Sequence, residues 1–402
     1  MTRPVTYATG ILSGIEWGGA GAVPIRIMLT GYYGRGNFGD DFILSSLVDF
    51  IADRTDLVVE VLSGSRLVKN NWRATRATVL PRTLTGYLRG IRRVDAVMVG
   101  GGTIFHDSNC GRHRLRYWFV LVLWLMKLTI ARALHKRVLI AGAGVGPLRS
   151  RTARILSALS FRQCSKIGVR DTASATTLAE LGFADKTLFG FDLAILGHAR
   201  VRAAANGERD SGPVIGVAPV SFTIFTRGGE EYTVRYWDHF VRALERQMEF
   251  DRRLQVRVFA LSRGGQEARD DGIARQIVDC LRLSFPGRVE IHRYDGDVWA
   301  TVQAIAGCRW FIASRYHSLL TAYLCGCYVA AVPYNRKVRD LALQIGLGDE
   351  AIIPVSRIIT EREWGVLLQR LSRDDPLFVP TLAPDEAAAQ AEGGLAGVIA
   401  GC

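Results

Sequence analysis

The segment that most constrains the fold of this chain is residues 310–337, WFIASRYHSLLTAYLCGCYVAAVPYNRK. Its pattern predicts a buried strand, a polar break at 314–317, an apolar helix and a second strand at 328–333. In such a β-loop-α-β unit, the polar break lies at the carboxyl end of a strand and the amino end of a helix. Open α/β sheets bind ligands at that edge, and helix amino ends favour anions.

Two side chains in this break are the first candidates for chemistry. We expect Arg315 to hold an anionic substrate and His317 to transfer protons beside it. The alternative is that Arg315 pairs with a carboxylate and that His317 is a satisfied core histidine, since structural ion pairs also perturb pKa values.

The composition limits the class of protein. A chain of 402 residues is too long for one typical core and predicts two domains. Its formal net charge of +13 fits an anionic membrane surface or phosphorylated and carboxylated substrates. We expect no nucleic acid partner, because no basic block with interleaved aromatic residues is present. The seven cysteines lack zinc-binding spacing, so we expect no metal and buried reduced thiols in a cytoplasmic protein.

Glycine-rich or charged loops follow several predicted strands, at 30–41, 100–107, 142–148 and 170–171. An α/β sheet gathers the carboxyl ends of its strands at one edge, so these loops predict a cleft. Asn37 and Asp40 in the first loop, and Gly101 and Gly102 in the second, are candidates for substrate binding. The alternative for the first loop is a tight turn in which Asn37 and Asp40 are turn and cap residues.

The predicted fold is α/β, with two Rossmann-like domains facing across a cleft in a glycosyltransferase-B-like arrangement. We divide the chain into a loose N-terminal extension, a first α/β domain, a polar linker, a second α/β domain with the donor-site motif, and a flexible tail. These segments are residues 1–24, 25–199, 200–212, 213–378 and 379–402.

The most hydrophobic stretch is residues 117–126, YWFVLVLWLM. It is too short for the roughly 20 residues that span a bilayer. A buried helix explains it, and so does an interfacial helix, because basic residues flank it on both sides. An anionic membrane surface is therefore a candidate partner, with the inner membrane face as an alternative to a purely cytoplasmic location.

An ordered set of short motifs resembles the polysaccharide pyruvyl transferase family. The set covers roughly residues 25–350 and consists of Gly31-Tyr32-x-Gly34-x-x-Asn37-x-Gly39-Asp40, Gly100-Gly101-Gly102-Thr103-Ile104-Phe105-His106-Asp107, Gly142-x-Gly144-x-Gly146-Pro147-Leu148, Val169-Arg170-Asp171-x-x-Ser174, Arg315-Tyr316-His317 and Tyr334-x-x-Lys337. The resemblance implies transfer of a pyruvyl group from phosphoenolpyruvate to sugar hydroxyls of a surface polysaccharide or its precursor. One departure is Asp192-Leu193-Ala194, where members of the family often have Asp-Pro.

The resemblance also implies which residues act. Those matching Arg170, Arg315, Tyr316 and His317 contact the donor, Lys337 joins the binding set, and Arg315 and His317 are the catalytic pair. Forked guanidinium groups suit a phosphate and a carboxylate, and histidine suits the proton steps, so no cofactor beyond the donor is expected. His106 is the next candidate for the proton donor. The acceptor is a saccharide, and whether it is lipid-linked is left open.

Two other functions stay open at this point. One is a nucleotide-sugar glycosyltransferase of the same architecture, for which Glu290 or Asp295 could supply the acidic contact to the nucleotide. The other is a non-catalytic scaffold of polysaccharide assembly.

Overall fold

The computed structural model describes residues 25–52, 57–63, 77–107, 114–208, 212–222, 229–263 and 268–400. The predicted extension at 1–24 lies outside these residues.

The first half of the chain alternates strands with helices. Its strands are β1 Ile25–Thr30, β2 Leu57–Ser63, β3 Ala77–Pro81, β4 Ala96–Gly100, β5 Thr103–Phe105, β6 Arg137–Val145, β7 Lys166–Val169 and β8 Thr187–Phe189. Its helices are α1 Phe38–Ala52, α2 Leu84–Ile91, α3 Arg114–Ala133, α4 Arg151–Gln163, α5 Thr172–Glu180 and α6 His198–Glu208, with 3₁₀ turns at Ala184–Lys186 and Leu193–Gly197.

The second half repeats the alternation. Its strands are β9 Val214–Ala218, β10 Gln255–Ala260, β11 Val289–Arg293, β12 Trp310–Ala313 and β13 Tyr328–Ala331. Its helices are α7 Gly229–Phe250, α8 Ala268–Ser284, α9 Val298–Ala306, α10 Tyr316–Leu324, α11 Arg336–Gln344, α12 Glu361–Leu371 and α13 Pro384–Ile399, with 3₁₀ turns at Asp349–Ala351 and Pro376–Phe378.

The strands form two parallel sheets. The first has the order β3-β2-β1-β4-β6-β7-β8 with β5 beside β6, and the second has the order β11-β10-β9-β12-β13. Every residue of β4 and of β9 is buried, as expected for central strands covered by helices on both faces. The prediction of two α/β domains built on parallel sheets is confirmed.

The start of α1 joins the two domains. The Phe38 amide donates to the Leu261 carbonyl at 3.0 Å, and the Arg263 amide donates to the Gly36 carbonyl at 2.9 Å. The rings of Phe38 and Tyr294 pack edge to face at 5.7 Å. The buried hydrophobic residues of α1 and of the second domain belong to one continuous cluster. The loop before α1 therefore lies between the domains, where it can form part of a cleft.

Two segments differ from the sequence prediction. Residues 200–208 of the expected linker belong to helix α6, whose narrow apolar face buries Val201 and Ala205 one turn apart. Residues 384–399 of the expected flexible tail form α13, which packs on β6, β7 and β8 of the first sheet. Alanine is the strongest helix former, and the face of α13 that includes Leu395 covers the sheet. The end of the chain thus returns to the first domain.

Helix α3 contains the hydrophobic stretch and has two apolar faces. Leu121, Trp124 and Leu128 are buried in the first domain, whereas Leu115 and Phe119 are 76% and 62% exposed. The helix is therefore neither wholly buried nor wholly on the surface. Among the described residues, none of the helices has the length and apolar character needed to cross a membrane.

Candidate active site

A cleft of about 1820 Å³ separates the two domains, and both domains line it. The structure brings most of the predicted site residues to its wall, namely Asn37, Asp40, Gly102, Arg170, Arg315, Tyr316, His317 and Lys337. Gly101 lies behind the wall, because its missing side chain faces Ile43 of α1 and a Cβ there would come within 2.5 Å of that residue. Its left-handed φ of 62° also favours glycine, which gives Gly101 a role in packing.

His317 lies in the first turn of α10, directly after the end of β12. Its side chain is 16% exposed, and its Nε2 is 3.6 Å from Asp192 Oδ2 of the first domain. A Cβ on Gly39 would lie 2.0 Å from His317 Nδ1, so only glycine lets α1 approach the imidazole this closely. The glycine of the first motif therefore makes room for a histidine of the other domain.

Asp192 is the main site residue that the sequence analysis missed. It is fully buried, its Oδ2 accepts a hydrogen bond from Arg170 Nη1 at 2.6 Å, and its Oδ1 accepts one from the Ala194 amide at 3.0 Å. Burial opposes ionisation of this carboxyl, but His317 and Arg170 outweigh it and hold its pKa below the usual range. Two features of the sequence could have pointed to Asp192: it follows β8 closely, and it begins the loop that departs from the family pattern.

Arg170 is an internal arginine. Its guanidinium carbon lies 4.2 Å from the centre of the Tyr316 ring, and its Nη2 donates to Thr103 Oγ1 at 3.0 Å. Burial would lower the pKa of Arg170, but Tyr316, Asp192 and Asp171 raise it above its ordinary value. These contacts tie together Asp192 and Tyr316 beneath the cleft, so Arg170 acts at least as a positioning residue. Its predicted contact with the donor stays a prediction.

Arg315 is paired with a carboxylate, as the alternative reading had it. Its Nε donates to Asp270 Oδ2 at 2.6 Å, its Nη2 contacts the same oxygen, and Asp270 Oδ1 accepts from the Ser221 amide at 3.0 Å. Because Arg315 also lines the cleft, this pair holds the guanidinium at the wall.

The opposite wall carries His106. Burial and then the positive charge of Lys337 lower the pKa of His106 to about 4, although Asp107 opposes both effects. The imidazole is therefore neutral near pH 7 and is a poorer proton donor than the sequence analysis expected. His106 of the first domain and Lys337 of the second both line the cleft.

The acidic residues proposed for a nucleotide contact lie elsewhere. Glu290 pairs with Arg257 on the surface of the second sheet, and neither Glu290 nor Asp295 lines the cleft. Within the described part of the chain, no group of three or more His, Cys, Asp or Glu side chains could hold a metal ion.

Two parallel-sheet domains facing across a polar cleft define a GT-B-like fold, and solved structures with this fold are similar to the chain. UDP-GlcNAc 2-epimerase from Methanocaldococcus jannaschii shares 12% identity over 93% of this chain and 99% of that chain, with a TM-score of 0.58. Sucrose-phosphate synthase from Thermosynechococcus elongatus shares 12% identity over 92% of this chain and 94% of that chain, with a TM-score of 0.51. At such identities the likeness shows the fold alone.

The family is shown by a different comparison. The family model for polysaccharide pyruvyl transferase matches residues 37–336, and the chain belongs to that family. The match contains most of the cleft residues of both domains, with Lys337 one residue beyond its end, and it confirms the resemblance seen in the sequence. No curated protein matches the chain.

Proposed function

We propose that this protein transfers a pyruvyl group from phosphoenolpyruvate to two hydroxyls of a saccharide, forming a cyclic pyruvate ketal and releasing phosphate. The saccharide is a surface polysaccharide or its precursor. The observation that carries the proposal is the imidazole of His317, held at the cleft wall between Gly39 and the buried carboxylate of Asp192, in a chain of the pyruvyl transferase family.

Donor binding is assigned to the second-domain wall. Phosphoenolpyruvate carries a phosphate and a carboxylate, and Arg315, Lys337 and the amino end of α10 supply positive charge there. The Asp270 carboxylate orients Arg315, so the guanidinium does not have to be ordered when the donor arrives. Arg170 supports this wall from beneath through Tyr316.

The reaction needs one group that donates a proton to the donor and then accepts a proton from the acceptor hydroxyl. The imidazolium of His317 protonates the methylene carbon of the donor while the first sugar hydroxyl forms a bond to C2, and His317 then accepts the proton of that hydroxyl. Phosphate leaves C2, the second hydroxyl bonds to C2, and the proton of the second hydroxyl departs with phosphate. Asp192 stabilises the imidazolium and holds the ring in place, which is the usual role of a buried carboxylate beside a catalytic histidine.

The test measures phosphate release from phosphoenolpyruvate with a panel of phosphate-free methyl glycosides, and mass spectrometry of the products. We expect phosphate release that depends on the acceptor, and a product heavier by pyruvate less one water. His317→Gln should lower turnover by about 10² to 10⁴-fold with donor affinity within a few-fold of wild type. His198→Gln is the matched control, because His198 is a partly exposed histidine bonded to Asp385 outside the cleft.

Two outcomes contradict this function. Release of UDP from UDP-sugars, with no phosphate released from phosphoenolpyruvate, would identify a glycosyltransferase. Turnover of neither donor, with unchanged surface polysaccharide in cells that lack the protein, would favour the scaffold.

We also propose that α3 rests on an anionic membrane surface. The exposed residues Leu115, Phe119, Val122 and Met126 recur every three or four positions and form one apolar stripe. Basic residues lie close to this stripe along the chain and on the neighbouring helix: Arg132 in the last turn of α3, Lys136 and Arg137 just after it, and Arg89, Arg92 and Arg93 in and just after α2. An apolar stripe with basic flanks is typical of helices that bind anionic lipid headgroups.

Vesicle flotation tests this location. We expect binding to vesicles of phosphatidylglycerol and phosphatidylcholine, weaker binding at high salt, and little binding to phosphatidylcholine alone. Phe119→Ser should reduce binding, whereas Phe250→Ser, at an 89% exposed phenylalanine at the end of α7, should not. Equal loss in both variants, or no flotation of wild type with anionic vesicles, would refute the docking of α3.

A further inference from the structure

Two arginines lie over the ring of Tyr32 at the first-domain wall of the cleft, and a lysine of α3 lies near them. The guanidinium carbons of Arg35 and Arg82 lie 5.0 Å and 5.2 Å from the centre of the Tyr32 ring. The Lys127 Nζ lies 5.0 Å from the Trp124 ring. We call these three residues, Arg35, Arg82 and Lys127, the basic cluster.

The basic cluster has no anionic partner in the described part of the chain. None of its three side chains forms a salt bridge there, and Arg82 Nη1 is buried without any hydrogen-bond partner. Leaving such a buried donor unsatisfied is unfavourable. Asp40, which also lines the cleft, attracts Arg82 electrostatically and raises its pKa, but burial and Arg35 outweigh that effect.

The cations also destabilise one another. Burial and the charge of Arg35 lower the pKa of Arg82 to about 10. Burial, Arg82 and Arg35 lower the pKa of Lys127 to about 8. Like charges that are held together while partly desolvated are favourable only when an anion completes the group. A bound anion would offset this repulsion, and it would accept a hydrogen bond from the buried nitrogen of Arg82.

The basic cluster is separate from the donor wall and adjoins the apolar stripe. Arg35 and Arg82 line the cleft from the first domain, whereas Arg315 and Lys337 line it from the second. Lys127 follows Met126, the last residue of the stripe, and Val120 of the same helix lines the cleft. Along the first-domain wall, from the cleft towards α3, polar residues are therefore followed by cations and then by exposed apolar side chains.

We propose that the basic cluster binds the phosphate groups of a lipid-linked saccharide acceptor, with the saccharide in the cleft and the hydrocarbon chain along α3. This inference rests on the proposed function, since it names the class of acceptor for that reaction. A nucleoside diphosphate sugar carries the same diphosphate, but it has no hydrocarbon to cover the apolar stripe.

The test measures binding to the full-length protein by titration calorimetry, with farnesyl diphosphate, inorganic diphosphate, UDP and phosphoenolpyruvate as separate probes. Farnesyl diphosphate should bind at least about tenfold tighter than inorganic diphosphate or UDP, because its chain adds apolar contact area. Arg82→Gln and Lys127→Gln should each weaken farnesyl diphosphate binding by about tenfold or more, through loss of a charge-assisted contact, and leave phosphoenolpyruvate binding unchanged.

Arg253→Gln is the matched control, since Arg253 is an 86% exposed arginine between α7 and β10, outside the cleft, whose loss changes the net charge equally. It should change neither affinity. Lys127→Gln keeps the test decisive if Arg82→Gln does not fold. Unchanged farnesyl diphosphate binding in folded cluster variants overturns the subsite, and so does an equal loss of phosphoenolpyruvate binding, which would place the cluster in the donor site. UDP binding tighter than farnesyl diphosphate overturns the lipid source.

Failure of the proposed function would look different. Wild type would then fail to bind or turn over phosphoenolpyruvate, while its binding of farnesyl diphosphate still depended on Arg82 and Lys127.

Discussion

Replacing Asp192 by asparagine tests the central contact of the site. The carboxylate accepts from Arg170 and from the Ala194 amide, and it faces His317 Nε2 at 3.6 Å. An amide of the same shape has only one acceptor oxygen. Whichever way it is oriented, its NH₂ group faces either the donors Arg170 and His317 or the Ala194 amide.

The magnitude follows from the burial of this group. Removing one partner of a buried ion pair typically costs about 3–5 kcal/mol, because the other charge stays buried without compensation. Asp171 Oδ2 is 3.6 Å from Arg170 Nε and still offsets part of that charge. We therefore expect Asp192→Asn to lower the free energy of unfolding by about 3 kcal/mol, a large share of the roughly 5–15 kcal/mol of a typical protein.

The same substitution should also slow the reaction. His317 would keep its place in the chain but lose the carboxylate that orients its ring. We expect turnover to fall by at least about tenfold, yet by less than the roughly 10² to 10⁴-fold expected when the proton-transfer group itself is removed. Donor affinity should stay within a few-fold of wild type, because Arg315 and Lys337 remain.

The assay combines urea unfolding with phosphate release from phosphoenolpyruvate on the same preparations. Asp385→Asn is the control, because Asp385 also contacts one arginine and one histidine, Arg202 and His198, but on the exposed surface. Exposed pairs of this kind contribute about 0–1 kcal/mol. If Asp192→Asn matched that control in both stability and turnover, the reasoning about the buried pair would be refuted.

Three further predictions follow from the structure. Arg315→Lys should weaken phosphoenolpyruvate binding by tens-fold or more, because Asp270 already takes up Nε and Nη2 of Arg315 and an ammonium cannot keep that pair while it also contacts the donor; unchanged affinity in calorimetry would contradict this. Burial raises the pKa of Asp41 from 3.8 to about 6 despite the hydrogen bonds from Gly34 and Tyr294. The folded state then binds more protons than the unfolded state in that interval, so stability should fall by up to about 3 kcal/mol as the pH rises through it. Asp41→Asn should lose this dependence in urea unfolding, and its persistence would refute the assignment. Leu395→Ala should cost about 2–5 kcal/mol of unfolding free energy, whereas Val366→Ala, at an exposed residue of α12, should cost far less; equal costs would mean that α13 does not stabilise the first domain.

Much of the architecture could be predicted from the chain alone. Apolar strand segments, glycine-rich loops and helical periodicity alternate along the sequence, and that alternation is enough to predict two parallel-sheet domains. The ends of the strands then predicted one cleft, and Asp40, Gly102, Arg315 and His317 do line the same cleft. These inferences succeeded because they depend on local periodicity and on the general direction of parallel strands.

The wrong predictions concern segments with weak local signals. Helix α6 has few apolar residues among charged ones, and α13 is rich in alanine and glycine, which are also typical of flexible tails. Both helices are held by what they pack against. The close approach of Gly394 to Gly190, where a Cβ would come within 2.9 Å of the opposite Cα, is a tertiary contact that no local pattern reveals.

The sequence by itself determined which residue types lie at the strand ends, and therefore the polar and cationic character of the cleft. Only the tertiary structure decided which of them are partners. It pairs Arg315 with Asp270, places Asp192 between Arg170 and His317, and leaves Arg82 with a buried nitrogen that has no hydrogen-bond partner. The physical reason is that charge pairing depends on distances of a few ångströms and on burial, and both arise only when segments far apart in the chain are packed together.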